Sequence, residues 1–294
     1  MHWTPETEMI IQRNEPLSMY TWFQLGGAAE YFSEPHSQEH LVKLVTECYQ
    51  NDLPLHILGS GSNILVRDEG VSGLVIRISE NLAENVEISG NRVICSGGIS
   101  LRRLISTVVR AGLAGIEELV GLPGTVGGAL RENAGTDSVS IGQFVQKVTL
   151  LTPDGSFVTA EAPHFSFGYQ QNSLDDGIIL QAEFEFHHED PQELATHMQK
   201  LWIMRKSAQP MGHQCAGRIF KDPANYGMKA GELIEMAGLK RTRIGGAVVS
   251  DRHANFIISE PECTSSDVLR LIDFLREQVY NRFNINLELE LKIW

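Results

Sequence analysis

Hydrophobic residues in the first 79 positions follow helical spacing in one stretch and extended spacing in others. Residues 37–51 carry apolar side chains on one helical face, and Ser37 is a favourable capping residue, so a helix is predicted there. Short apolar runs at 55–58 and 73–78 predict buried strands on either side of a glycine-rich loop. Residues 1–79 are therefore predicted to form a small β-α-β unit.

The next section, residues 80–190, is richer in strand patterns. Hairpins are predicted over 86–96 and 144–160, because each contains a turn in which glycine follows or precedes a small polar residue. An amphipathic helix is predicted over 101–111 and a longer alternating strand over 178–187.

The last section, residues 191–294, mixes both periods and is predicted to be α+β. Its strongest helical spacing lies at 264–283, and strict alternation from 285 to 294 predicts a closing strand. The other predicted elements are helices over 191–205 and 229–237 and short strands over 244–250 and 255–259.

Two glycine-rich loops carry the first chemical signal. One is Gly59-Ser60-Gly61-Ser62-Asn63 between apolar runs, and the other, residues 117–136, contains five glycines. The first loop lacks the third glycine and the following helix of a dinucleotide fingerprint, and no Walker GK[ST] follows it. Its N–H groups and polar side chains suit a pyrophosphate, although a plain turn explains this loop at least as well when it is taken alone. Together, the two loops predict one large cofactor held by backbone at two points.

Composition narrows the class of protein further. The chain is 42% hydrophobic and 21% charged, and no apolar run approaches the roughly 20 residues of a membrane span. No signal peptide pattern is visible, and the four scattered cysteines form no CxxC pair, so we expect a reducing cytoplasm and neither a zinc site nor disulfides. The net charge of −13 argues against a general nucleic-acid binder, but a local basic pocket could still bind an anionic small molecule.

The order of several motifs resembles the UDP-N-acetylenolpyruvoylglucosamine reductase (MurB) family, in its shorter branch. These motifs, which span nearly the whole chain, are YTWFQLGGAAEY, ILGSGSNILV, GIEELVGLPGTVGGALRENAGT, FGY, AGRIFKDP, GLKRTRIGGAVVSDRHANFII and LELELKIW. The resemblance implies an α+β fold with a two-part FAD-binding region of the PCMH/VAO type. Its subdomains would be residues 1–79 and 80–190, followed by an α+β substrate-binding domain at 191–294.

The resemblance also implies the reaction. FAD would be bound, and NADPH would be used to reduce UDP-N-acetylglucosamine enolpyruvate to UDP-N-acetylmuramate for peptidoglycan. Hydride would pass through the flavin to C3 of the enolpyruvyl group, and a protonation at C2 would complete the reduction. We expect a cytoplasmic monomer or weak homo-oligomer, with no nucleic acid, membrane or metal partner. The implied FAD-binding residues are Gly59, Ser60, Gly61, Ser62, Asn63, Pro123, Gly124, Thr125, Gly127, Gly128, Asn133 and Gly135.

The closing strand carries the implied catalytic carboxylate. Glu290, in the stretch LELEL, matches the family's glutamate. Alternation alone places Glu288 and Glu290 on one face, where two solvated glutamates are the alternative interpretation.

Three positions depart from the family pattern. Arg218 stands where the family has a Ser or Cys proton donor after Ala-Gly, and Asp222 replaces an asparagine. Gln170 takes the place of an arginine that follows the tyrosine in the family. An arginine, whose pKa lies above about 12, is a poor acid near neutral pH.

Two interpretations of these departures remain open. In the first, Arg218 stabilises the enolate, while water or Cys215 supplies the proton. In the second, the scaffold binds FAD but its activity is lost or redirected to another substrate, or the protein is a non-catalytic flavin- or nucleotide-binding homologue.

The remaining candidates concern substrate binding. The resemblance assigns Tyr169 to the UDP-sugar. Arg205 and Lys221 are basic residues that flank the loop of the last section and could meet the UDP phosphates. His213 and His253, in polar loops, are weaker candidates for ligand contact.

Overall fold

A computed structural model describes residues 3–82, 86–162, 164–168, 171–174, 177–211, 214–224 and 226–294. Within these ranges the α-helices are α1 (Pro5–Glu8), α2 (Gln38–Gln50), α3 (Leu101–Arg110), α4 (Val126–Arg131), α5 (Pro191–Ala208), α6 (Ala230–Met236) and α7 (Ser265–Phe283). The strands are β1 (Gln12–Pro16), β2 (Ala28–Ser33), β3 (Leu55–Leu58), β4 (Ile64–Leu65), β5 (Val71–Arg77), β6 (Val86–Ser89), β7 (Arg92–Ser96), β8 (Leu113–Ala114), β9 (Val145–Leu151), β10 (Phe157–Glu161), β11 (Phe167–Gly168), β12 (Gln171–Asn172), β13 (Ile178–Glu185), β14 (His187–His188), β15 (Arg243–Ile244), β16 (Ala247–Val249), β17 (Ile257–Ser259) and β18 (Lys292–Ile293). No helix among the described residues is long and apolar enough to cross a membrane.

The strands form two larger sheets. One has four strands in the order β1-β2-β5-β3, in which β3 and β5 pair in parallel with Leu55 opposite Leu74. The other has five strands in the order β10-β9-β13-β7-β6, and each pair in it is antiparallel. Both hairpins that the turn chemistry predicts, β6–β7 and β9–β10, lie in the five-stranded sheet.

The chain divides into two compact units, and the first comprises Met1–Arg13, Tyr31–Ser60 and Gly73–Ile203. It contains two hydrophobic cores. One forms around α3, whose Leu104 and Val108 are fully buried, and the other forms around α2, with Leu41 and Leu44 fully buried. The apolar faces that predicted these two helices are therefore the faces that build the cores.

The second unit comprises Asn14–Glu30, Gly61–Ser72 and Met204–Trp294. Its core lies between α6, α7 and the sheet β15-β16-β17. The N-terminus of α7 is capped by Thr264, and the Asp68 carboxylate also accepts a hydrogen bond from the Ser265 N–H at 3.0 Å. Such contacts satisfy N–H groups that the helix itself leaves without partners. The proposed three-part division at residues 79/80 and 190/191 stays a prediction.

The predicted closing strand is wrong over most of its length. Only Lys292–Ile293 pairs regularly, in parallel with Ile64–Leu65. The preceding residues instead make single contacts, such as the Glu290 N–H donating to the carbonyl of Ile219 at 2.9 Å. The alternation of burial is still present, because Ile285, Leu287 and Leu291 are buried, and that periodicity produced the prediction.

Two further boundaries differ from the sequence pattern. The strand expected over 244–250 is split into β15 and β16, which form a hairpin with Ile244 opposite Ala247 around two glycines. Helix α5 continues to Ala208, three residues past its predicted end.

Candidate active site

The two glycine-rich loops meet in the first unit. A Cβ added at Gly59 would lie 2.7 Å from Thr125 Oγ1, which is closer than real Cβ contacts. Thr125 in turn is the N-cap of α4, where Oγ1 accepts the Gly128 N–H at 3.3 Å. A larger residue at position 59 would therefore force Thr125 to move.

The second loop is fixed by backbone bonds to the turn before α3. The Gly127 N–H donates to the Gly97 carbonyl at 2.7 Å, and the Leu101 N–H donates to the Gly124 carbonyl at 2.9 Å. Asn133 is buried, and its amide bonds the backbone of Gly142 and Gly168. Its side chain therefore shapes the loop, whatever else it contacts.

The end of the first loop lies in the second unit. Gly61 has φ +65°, and a Cβ there would lie 2.0 Å from the Tyr20 carbonyl oxygen, so only glycine fits without strain. Asn63 donates from Nδ2 to the Glu290 carbonyl at 3.2 Å, and its own carbonyl accepts the Lys292 N–H at 3.0 Å. Asn63 is thereby joined, within the second unit, to the segment that carries the predicted catalytic carboxylate.

Arg218 lies between two carboxylates in the same unit. Its Nε is 3.2 Å from Glu290 Oε2, and its Nη1 is 3.2 Å from Asp222 Oδ2. The three side chains are largely buried, with exposures of 25% for Arg218, 18% for Glu290 and 21% for Asp222. Glu290 is therefore no solvated surface glutamate, whereas its neighbour Glu288 is exposed.

A buried amide fixes the backbone that presents this cluster. Asn255 is 1% exposed, accepts the Phe220 N–H at 2.9 Å and donates to the Phe220 carbonyl at 2.8 Å. No sequence pattern singled out Asn255. Its signal was weak, since an asparagine between apolar residues is also common in turns.

Two other groups near the cluster have shifted pKa values. Burial lowers the pKa of His253, and the positive charge of Arg218 lowers it further. Burial raises the pKa of the Cys215 thiol to about 11, and its Sγ lies 3.1 Å from the Pro210 carbonyl. The protonated thiol donates to that carbonyl, and this hydrogen bond disfavours Cys215 as the proton donor.

The predicted substrate residues are only partly described. Tyr169, Gln170 and His213 lie outside the described residues. Lys221 is half-buried, and its N–H donates to the Glu288 carbonyl at 2.8 Å, so it lies beside the carboxylate segment. Arg205 lies in the last turn of α5 and is also half-buried.

The loop geometry fits a cofactor held largely by backbone. The contact between Gly59 and Thr125 brings the two loops together, as a ligand held at two points requires. Asn63 Oδ1 is buried and has no hydrogen-bond partner among the described residues, so it is an acceptor that a bound donor would satisfy. In the described part of the chain, no cluster of His, Cys, Asp or Glu is arranged to hold a metal.

Comparison with known protein families agrees with this arrangement. A family model described as "FAD binding domain" matches residues 29–161. A second, described as "UDP-N-acetylenolpyruvoylglucosamine reductase, C-terminal domain", matches residues 209–294. The class is thus that of an FAD-binding protein with a separate C-terminal domain.

Whole-chain relatives make the assignment specific. UDP-N-acetylenolpyruvoylglucosamine reductase of Moorella thermoacetica is 39% identical over 98% of this chain and 94% of its own length. The enzyme of the same name from Anoxybacillus flavithermus is 36% identical over 96% of this chain and 94% of its own length. The crystal structure of MurB from Thermus caldophilus has a TM-score of 0.81 and 32% identity, covering 97% of this chain and 98% of that one.

The chain belongs to the UDP-N-acetylenolpyruvoylglucosamine reductase family. The family resemblance drawn from the motifs is therefore confirmed, and so are the α+β fold class and the FAD cofactor. The roles of individual site residues stay predictions.

Proposed function

We propose that the protein catalyses the FAD-dependent, NADPH-using reduction of UDP-N-acetylglucosamine enolpyruvate to UDP-N-acetylmuramate in peptidoglycan synthesis. The observation that carries this proposal is the ion pair of Glu290 with Arg218, within a chain whose whole length matches the reductase family. When bound, FAD supplies the hydride relay that no amino-acid side chain provides.

The loop residues would hold the cofactor. We assign the pyrophosphate to backbone N–H groups around Gly59 and Gly124 in the first unit. Ser60 and Asn63 keep the cofactor-binding role that the family motifs imply. Thr125 keeps the two loops in contact, so we assign it a positioning role rather than a direct one.

Glu290 and Arg218 would serve the enolpyruvyl group. The guanidinium is always charged at working pH and therefore stabilises negative charge developing on a substrate oxygen, as oxyanion-binding groups do. Glu290 is the group that can hold or move a proton there, since carboxylates titrate within an accessible range.

The charge distribution supports an anionic substrate. Residues 204–294 contain 13 of the 24 Lys and Arg residues but only 11 of the 37 Asp and Glu residues, so this segment is net basic in an acidic chain. Lys221 and Arg205 are the cations we assign to the UDP phosphates.

The setting of the enzyme follows from weaker signals. All four cysteines are free and buried, which fits a reducing cytoplasm. We expect a monomer or weak homo-oligomer, with a UDP-sugar rather than nucleic acid as its partner.

A second candidate is an FAD-binding homologue whose activity is lost or redirected to another substrate. This second candidate is favoured by Arg218, which stands where the family pattern has a serine or cysteine. An arginine cannot replace either residue as a proton donor.

One experiment separates the candidates. The purified protein is titrated anaerobically with NADPH and then with the enolpyruvyl UDP-sugar while flavin absorbance near about 450 nm is followed. We expect bleaching with NADPH and recovery with the sugar. Bleaching without recovery would refute the reductase assignment and favour another oxidant.

A further inference from the structure

The two carboxylates around Arg218 have different second partners. Asp222 Oδ1 accepts the Ala230 N–H at 2.9 Å, while its Oδ2 pairs with Arg218. Ala230 is the first residue of α6. Asp222 therefore joins the guanidinium to the start of a helix, whose N–H groups fix the carboxylate plane.

An asparagine at position 222 could keep only half of this arrangement. Its Oδ1 could still accept the Ala230 N–H, but its amide nitrogen is a donor and could not pair with a guanidinium. The ion pair with Arg218 therefore requires an aspartate, whereas the hydrogen bond to α6 does not.

We propose that Asp222 is a positioning residue for Arg218, and that the two side chains form a coupled pair that sets how the guanidinium meets Glu290. The pair explains how an arginine can occupy this position in a reductase site. The inference rests on the proposed function for its kinetic consequences, but the coupling itself does not depend on it.

The physical reason is charge balance in a largely buried cluster. With Asp222 present, two carboxylates share the guanidinium of Arg218, so neither carboxylate alone determines the position of the guanidinium. Removing Asp222 would leave Glu290 as the carboxylate still paired with Arg218, so the guanidinium would bind it more tightly and withhold it from the substrate. Removing Arg218 would leave two carboxylates without the cation between them, so their like charges would repel each other. Breaking a buried pair is costly, while removing both partners is often tolerated.

The other titratable groups around the cluster do not replace this pairing. Burial lowers the pKa of His253, which disfavours a second cation beside Arg218. The charges of Lys229 and Lys240 act on His253 in the same direction as that of Arg218. Lys229 is the N-cap of α6, and Lys240 pairs with Glu235 at 2.6 Å.

A double-mutant cycle tests the proposal. D222N, R218S and R218S/D222N are compared for the rate of flavin reoxidation by the enolpyruvyl UDP-sugar and for its pH profile. We expect D222N to slow reoxidation at least about tenfold when Arg218 is present, and to speed it at least about tenfold in the R218S background. We also expect one limb of the pH profile of reoxidation to lie at higher pH in R218S than in the wild type. In R218S/D222N that limb should return toward its wild-type pH. Equal effects of D222N in both backgrounds, with an unshifted profile, would overturn the pairing.

A matched control and a second readout complete the test. Arg241 and Asp251 form an exposed pair at 3.4 Å, and the cycle R241S, D251N and double is expected to show no coupling. Thermal unfolding of the Arg218 and Asp222 variants should show the same non-additivity without any substrate. If wild-type flavin is not reoxidised by the sugar, the proposed function fails, while additive melting temperatures would refute the coupling itself.

Discussion

Substitution of Gly59 by alanine tests the contact between the two glycine-rich loops. The new Cβ would lie 2.7 Å from Thr125 Oγ1, so Thr125 must move and weaken its cap on the Gly128 N–H. A lost N-cap costs about 1 kcal/mol, and overpacking adds about 1–3 kcal/mol, so we expect a loss of roughly 2–4 kcal/mol. For a chain of this size the melting temperature should fall by roughly 5–10 °C. FAD affinity, measured by flavin fluorescence, should fall with it.

The double variant identifies the cause. T125A removes the oxygen that the new Cβ meets, so the cost of G59A/T125A should be clearly smaller than the sum of the two single costs. Gly90→Ala is the control, since nothing lies within 4 Å of its added Cβ and its φ of +61° costs stability alone. That variant should melt lower but bind FAD as the wild type does. Additive costs, or a G59A variant with unchanged melting and FAD affinity, would refute the contact.

Three further outcomes follow from the second unit. Glu290→Gln should slow reoxidation by the UDP-sugar by about 10²–10³ while NADPH still bleaches the flavin, and exposed Glu288→Gln should change little; equal rates for the two variants would contradict the assignment. Cys215→Ala should leave the reoxidation rate unchanged between pH 6 and 8, because the thiol donates to the Pro210 carbonyl; a large loss would make Cys215 the donor. For Asp267, burial raises the pKa, but bonds from Gly246 and other groups outweigh burial and lower it overall. The stabilisation by Asp267 is therefore present above the ordinary aspartate pKa and is lost as the pH falls through the lowered pKa. Denaturant titrations from pH 7 to 3 should show a smaller loss of unfolding free energy in D267N than in the wild type. Identical pH dependences of the two proteins would exclude this contribution.

Local sequence patterns predicted the helices that bury one continuous apolar face. Helices α2, α3 and α7 have continuous apolar faces, and they begin and end within one or two residues of their predicted limits. Helices α2 and α7 also have side-chain N-caps, from Ser37 and Thr264. The segment 285–294 failed because alternation reports burial on one side and does not report backbone partners. The bond between Asn63 and Glu290 joins residues 227 positions apart, which no local pattern encodes.

The candidate site, like the fold, could be predicted only in part from the sequence. The loops and Glu290 follow from glycine content and from family motifs. The bond of Asp222 to α6 does not, since it depends on the folded position of the Ala230 N–H. The pairing of Arg218 with Glu290 and Asp222 likewise depends on the folded backbone and not on any local pattern.

The parallel pairing of Ile64–Leu65 with Lys292–Ile293 has a consequence for synthesis. At about 5–20 residues per second, these two strands leave the ribosome roughly 10–50 s apart. During that interval the apolar residues at 64–66 have no native partner strand and the Arg67 N–H lacks the Trp294 carbonyl that it bonds at 2.9 Å. This strand pair therefore forms only after residues 292–294 have been translated, and a nascent chain halted before position 292 would expose this segment to chaperones and proteases.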